Sequence, residues 1–139
     1  MKMSWARVAL FPVLAMLCQV AGAQEFPSST VRLVVPYPPG GGVDGLARPV
    51  AERLSSLWGK PVIVENRAGA ATIIGSDFVA KAQPDGHILL FTSDSSITSN
   101  PHLYARLPLD PMKDLQPVTQ LIDLYQMVVV HPSVKANTM

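Results

Sequence analysis

One stretch, Val31 to Ala47 (V-R-L-V-V-P-Y-P-P-G-G-G-V-D-G-L-A), limits the folds open to this chain. Val31 to Val35 is a short, apolar, β-branched run, the pattern of a strand buried in a parallel sheet. Pro36, Pro38 and Pro39 end it, because each fixes φ and lacks an N–H. Gly40, Gly41 and Gly42 then permit backbone paths closed to other residues and leave no Cβ to hold a ligand off. Asp44 stands where a helix should begin, and Leu46, Val50, Leu54 and Leu57 follow at helical spacing. Strand, glycine turn and helix N-terminus together make an anion site, since the first N–H groups of a helix have no internal partner. The plainer alternative is a βα turn in which glycine only turns the chain.

Two phosphate motifs do not fit. A P-loop needs Lys followed by Ser or Thr after its glycines, and Val43-Asp44 stands there instead. The dinucleotide fingerprint is approximated through Gly40, Gly42 and Gly45, with Glu65 at about the right distance for a ribose contact. An acid at Asp44, inside the anion site, argues against a dense phosphate charge. A smaller anion held by neutral N–H groups fits better.

The N-terminus reads as an export signal: Lys2 and Arg7, an apolar run from Val8 to Val20, then Ala21-Gly22-Ala23 as the cleavage site. The alternatives are a membrane anchor, for which the run is short, and a lipoprotein at Cys18, where Met16-Leu17 replace the small residues expected. Cleavage after Ala23 leaves residues 24–139 without cysteine, so the core must rest on hydrophobic burial rather than disulfides. Losing Lys2 and Arg7 from 11 basic residues leaves nine against ten acidic ones, a net charge of −1. No basic footprint points to nucleic acid.

Further along, the helix should run from about Asp44 to Trp58, with Pro49 implying a late start or a kink, Gly59 the cap and Pro61 the stop. Val62 to Val64 reads as a second strand. A second helix is expected from Thr72 or Ile73 to Ala82, with Ile74, Phe78 and Val79 inward, and Ile88 to Phe91 as a third strand. Apolar strands alternating with helices predict an α/β fold of right-handed βαβ units around a parallel sheet. Ligands bind such sheets at the C-terminal ends of the strands. That rule sets the Gly40 loop beside Thr92–Asn100, whose hydroxyls and amides suit a neutral rim for a small polar ligand. Such residues are also ordinary in loops, and Asn100-Pro101 is itself a helix cap. Thr92, Ser93 and Ser95 are therefore better ligand candidates than Asn100. A helical turn is expected over His102–Arg106, and extended segments over Val118–Ile122 and Gln126–His131.

Catalytic signals are few. There is no nucleophile elbow, and His87, His102 and His131 have no paired spacing for a metal. Ser95 with His87 or His102 is the one hydrolytic pairing left open. Tyr37, among the prolines, can wall the site with its ring or donate through its hydroxyl.

Four motifs occur in order: Val31–Arg48, P-V-I-V-E-N-R-A-G-A (Pro61–Ala70), A-K-A-Q-P-D-G-H-I-L-L (Ala80–Leu90) and N-P-H-L-Y-A-R-L-P-L-D-P-M-K-D-L (Asn100–Leu115). Together they resemble the Bug family, the extracytoplasmic solute receptors of tripartite tricarboxylate transporters, from about Phe26 onward. The resemblance implies a periplasmic, monomeric binding protein of two α/β lobes (type II), with no catalysis, cofactor or metal. It would capture a small carboxylate and pass it to membrane subunits. Backbone N–H groups would hold the carboxylate. The implied first-lobe contacts are Tyr37, Pro38, Pro39, Gly40, Gly41, Gly42 and Asp44, with Thr92, Ser93, Ser95 and Asn100 beside them. Val43 lacks the hydroxyl of the Thr that many relatives carry, and Ala71-Thr72-Ile73 replaces a glycine-richer turn. Residues 24–139 are expected to form the first lobe only, the second lying beyond the sequence, with weak or undetectable affinity. A non-binding remnant is the alternative, and an exported serine hydrolase a distant one.

Overall fold

The computed structural model describes residues 25–123, 125 and 129–134. The expected signal segment, residues 1–23, lies outside them. The elements are β1 (Val31–Val35), α1 (Gly42–Trp58), β2 (Val62–Asn66), α2 (Ile73–Ala80), β3 (Ile88–Leu90), α3 (Ser95–Thr98), α4 (Asn100–Leu103) and α5 (Pro111–Asp114). All three strands are parallel in the order β2-β1-β3. Val31 pairs with Val62 and Val35 with Asn66, while Val34 pairs with Leu90 on the other side. The α/β architecture read from the apolar runs is therefore present.

Alternation along the strands decides which helix each side chain meets. Val31, Leu33 and Val35 join Val62 against Ala47 and Ala51 of α1, forming the core, with Leu54, Trp58, Val64, Leu89 and Phe91 packed around it. The opposite face carries Arg32 and Glu65 toward Phe78 of α2: both Arg32 and Arg67 stack on that ring and pair with the Glu65 carboxylate. Helix α2 reaches the sheet at Gly75, where a Cβ would stand 2.7 Å from Pro36 Cβ and 2.9 Å from the Arg67 carbonyl. Only glycine fits that approach.

Several expectations shift by a few residues. Helix α1 starts at Gly42 rather than Asp44, so Pro49 is truly internal. Its missing bond would have gone to the Gly45 carbonyl; both residues are exposed, so water can satisfy the oxygen. Gly59, at φ 62°, ends the helix by donating to the Ser55 carbonyl at 3.0 Å, as expected. Helix α2 stops at Ala80, and Ile74 points away from the sheet, 52% exposed against Gly69, while Gly75 and Ser76 take the buried face. Strand β3 ends at Leu90, although Phe91 N–H still bonds the Val34 carbonyl.

Asn100 is the first residue of α4, with Ser99 in the cap position and no side-chain cap bond; the Asn100 Nδ2 donates to the loop after β2. The turn expected over His102–Arg106 accordingly falls earlier. Residues 118–123 form no strand among the described residues, and the expected segment Gln126–His131 lies partly outside them. A strand needs a partner ladder, and none of the described residues supplies one there. No helix of the described residues is long and apolar enough to cross a membrane.

Candidate functional site at the C-terminal edge of the sheet

The loops after β1, β2 and β3 all leave the sheet at its C-terminal edge, and each is tied to the other two. Tyr37, the second residue after β1, donates or accepts at 2.7 Å with Ser93 Oγ and at 3.3 Å with Ser96 Oγ. Thr92 Oγ1 lies 2.6 Å from Ser96 Oγ, and Ser93 Oγ 2.8 Å from Ser95 Oγ. The network binds the first loop to the third. Burial pushes the Tyr37 phenol up, but hydrogen bonds from Ser93, Ser96, Thr92 and Ser95 outweigh it and leave the group below its ordinary value.

Asn66, the last residue of β2, ties the second loop to the first. Its Nδ2 donates to the Tyr37 carbonyl at 3.1 Å and to Asp44 Oδ1 at 2.8 Å. Asn100 ties the third loop to the second, donating to the Ala71 carbonyl at 2.8 Å and to Thr72 Oγ1 at 3.2 Å. The segment it holds is unusual: Ala70, Ala71 and Thr72 have φ of 45°, 49° and 77°, the left-handed region that costs a non-glycine residue about 1–2 kcal/mol.

Asp44 is the hub of the first loop and only 1% exposed. It accepts from the Gly40 N–H at 2.9 Å, from Arg48 Nε and Nη2 at 2.9 and 3.0 Å, and from Asn66. These donors, Arg48 first, then Gly40 and Asn66, hold its carboxyl down to about 2. Gly40 reaches the carboxylate at φ 80°, a conformation glycine adopts without strain. Two consequences follow for an anion. The acid at the helix start arrives with its own counter-charge, so the pair is neutral overall. The Gly40 N–H is already engaged, which leaves Gly42, Val43 and Asp44, the opening N–H groups of α1, as those without a carbonyl one turn back.

The structure thus brings Tyr37, Gly40, Gly41, Gly42 and Asp44 together with Thr92, Ser93 and Ser95, with Pro38 in the same turn accepting from Gly41 N–H. Asn100 stands farther back as a tie. Arg48, Asn66 and Ser96 belong to the same constellation but escaped sequence reasoning. Arg48 was legible, since an acid and a base at i, i+4 on a helix pair. Asn66 was legible from alternation, being on the same strand face as Val62 and Val64.

Glu65 is not a ribose contact. It lies on the opposite face of the sheet, where burial raises its carboxyl but the Arg32 and Arg67 guanidiniums outweigh that and hold it low. The Ser–His pairing does not form either: Ser95 Oγ meets Ser93, and His87 Nε2 meets Ser28 and Ser29.

A family model described as the tripartite tricarboxylate transporter family receptor matches residues 46–139. Protein BugT of Bordetella pertussis is 34% identical over 135 residues, which is 96% of this chain and 41% of that protein. A solved structure described as a periplasmic transporter has 44% identity and a TM-score of 0.65, over 68% of this chain and 32% of its own. A TctC solute-binding protein from Polaromonas, solved without ligand, has 32% identity and a TM-score of 0.51, over 59% of this chain and 29% of its own. The chain spans well under half the length of the curated relatives it matches. The motif resemblance and the family model agree, and the model covers more than half of the sequence. The chain belongs to the family of tripartite tricarboxylate transporter receptors.

Proposed function

We propose that this chain supplies the first lobe of an exported solute receptor that captures a small carboxylate and passes it to transporter membrane subunits. Residues 1–23 act as its signal and residues 24–139 as the lobe, working in the periplasm as a monomer. The carboxylate sits at the N-terminus of α1, accepting from the N–H groups of Gly42, Val43 and Asp44. Tyr37 and Pro38 to Gly41 form one wall, and Ser93, Ser95 and Thr92 the rim; Asn100 supports the rim from behind. The observation that carries this reading is the neutrality of the site: Asp44 is cancelled by Arg48, and the remaining groups are backbone and hydroxyl donors. Such donors suit a carboxylate, an acceptor-only group, and no bond needs to be made or broken.

The test is amide chemical-shift perturbation in the 139-residue chain, with citrate, malate and adipate as probes and glycerol as the neutral control. Shifts at Gly42, Val43 and Asp44 with the acids alone are expected. Because a single lobe is expected to bind weakly, the probes are taken to the limit of their solubility. Silence at those three amides in a folded sample under that condition would overturn the reading. A second reading, a chain that folds without binding, is favoured by the exposed apolar run of Val118, Leu121, Tyr125, Val129 and Val130. It predicts concentration-dependent association in the absence of any ligand response.

A further inference from the structure

At the opposite, N-terminal end of the sheet, residues 25–30 lie over β3 and the end of α1. The Phe26 ring packs edge-on against Trp58, with centroids 5.6 Å apart, and at a tilt against His87, 5.3 Å away. Gly86 completes the seat, since a Cβ there would come within 3.0 Å of the Phe26 ring. The polar half of this contact rests on one atom. His87 Nε2 meets the Ser28 N–H at 3.2 Å, the Ser29 N–H at 3.4 Å and Ser28 Oγ at 3.2 Å.

Two backbone N–H groups can only donate, so Nε2 must present a lone pair and the ring proton must be on Nδ1. Nδ1 lies 3.3 Å from Asp85 Oδ1, off the line of a hydrogen bond. Asp85 also accepts the His87 N–H at 2.9 Å, and that bond, first among its causes, keeps its carboxyl below the usual range. Glu25 lines the same cavity of about 230 Å³ with Phe26, Ser28, Asp85 and His87.

We propose that His87 is a pH-operated latch on residues 25–30: its neutral imidazole holds the Ser28 and Ser29 amides, and charging the ring releases them. A second proton on Nε2 replaces the lone pair with a donor that faces two other donors. Ser28 Oγ can rotate to accept from it, but the two amides cannot. Asp85, 3.3 Å from Nδ1, and Glu25, on the wall of the same cavity, are the acids near the ring, so the new positive charge has a counter-charge beside it without the sheet unfolding. The His87 backbone stays fixed, because its carbonyl accepts the Arg32 N–H of β1 at 2.7 Å. Release would lift Phe26, already half exposed, away from Trp58 and uncover that ring. The latch is independent of any carboxylate bound at the other end of the sheet.

Amide hydrogen exchange on the full chain, corrected for intrinsic rates, reads the latch directly. Between about pH 8 and about pH 5, protection at Ser28 and Ser29 should fall about tenfold, the loss expected for two bonds without an acceptor. Protection of β1 amides should not change. In His87→Gln, whose amide oxygen accepts but cannot charge, protection at Ser28 and Ser29 should be flat with pH. If that variant fails to fold, the wild-type ring nitrogens serve instead: their titration step should coincide with the loss of protection. Protection that is flat in the wild type, that falls equally in His87→Gln, or that falls at a pH apart from the ring's own step, overturns the proposal.

Discussion

The same substitution, glycine to alanine, should have opposite signs at two positions of this chain. Gly75 and Gly45 are both inside helices, where alanine is intrinsically better by about 0.5–1 kcal/mol. At Gly45 a Cβ meets nothing within 4 Å, so only this gain remains. At Gly75 the new methyl would stand 2.7 Å from Pro36 Cβ, 2.9 Å from the Arg67 carbonyl oxygen and 3.1 Å from Pro36 Cα. Two of these atoms are backbone and the third belongs to a ring, so none can swing aside. Overpacking of this kind costs about 1–3 kcal/mol, and rigid neighbours favour the upper figure.

The balance for Gly75→Ala is therefore a loss of about 2 kcal/mol. A domain of this size should then melt lower by roughly 10 °C, against a small rise for Gly45→Ala. Urea titration followed by far-UV circular dichroism measures both. An unchanged or raised midpoint for Gly75→Ala, with the slope preserved, would refute the close approach of α2 to the sheet. Because the methyl pushes on Pro36 and on the residue opening the second loop, the same variant should also weaken any carboxylate response at Gly42 to Asp44.

Asp44 has its folded carboxyl lowered to about 2 from an ordinary 3.8, so its contribution to stability is present above the ordinary value. The gap in melting temperature between wild type and Asp44→Asn should therefore be full at neutral pH and close as pH falls through that range. Ala71→Gly should raise stability by about 1 kcal/mol, since it relieves one of three consecutive left-handed residues; thermal melts decide it. Asn100→Ala leaves the Ala71 carbonyl and the buried Thr72 hydroxyl without their shared donor, at a cost of about 1–3 kcal/mol. Limited proteolysis should then cut faster within residues 69–72.

The framework of the fold was legible because it is written in short-range patterns. Val31 to Val35, apolar but for Arg32, and Val62 to Val64 are runs of strand length, rich in β-branched residues and bounded by turn residues, and Gly59 marks the end of α1 by itself. The meeting of the Gly40 and Thr92 loops was legible, since both follow parallel strands and leave the sheet at one edge, where Tyr37 bonds Ser93. What escaped was the use of each polar group. Asp44 reads from sequence as a residue at an anion site, but its carboxylate is consumed by Gly40, Arg48 and Asn66, the last 22 positions away. Asn100 has the signature of a helix cap, yet it enters the first turn of α4 and its Nδ2 donates to a carbonyl 29 residues back. Ile74 falls on the inward phase of its helix, but the approach at Gly75 rotates the buried face by one residue. The bonds of Asn66 and Asn100 span 22 to 29 positions and leave no pairing signal nearby, whereas the Asp44–Arg48 pair has the local signal of i, i+4 spacing.

The three ties at the edge of the sheet, Tyr37 to Ser93, Asn66 to Tyr37 and Asp44, and Asn100 to Ala71 and Thr72, close a triangle. A triangle cannot change shape while its sides keep their lengths. The loops consequently have little internal freedom left to surrender when something settles among them. Ordering a loose side chain on association typically costs about 0.5–1.5 kcal/mol, and here much of that cost has already been met during folding. In the proposed receptor role, the edge would act as a fixed mould, with selection among solutes set by the hydroxyls that line it rather than by how far the loops must travel.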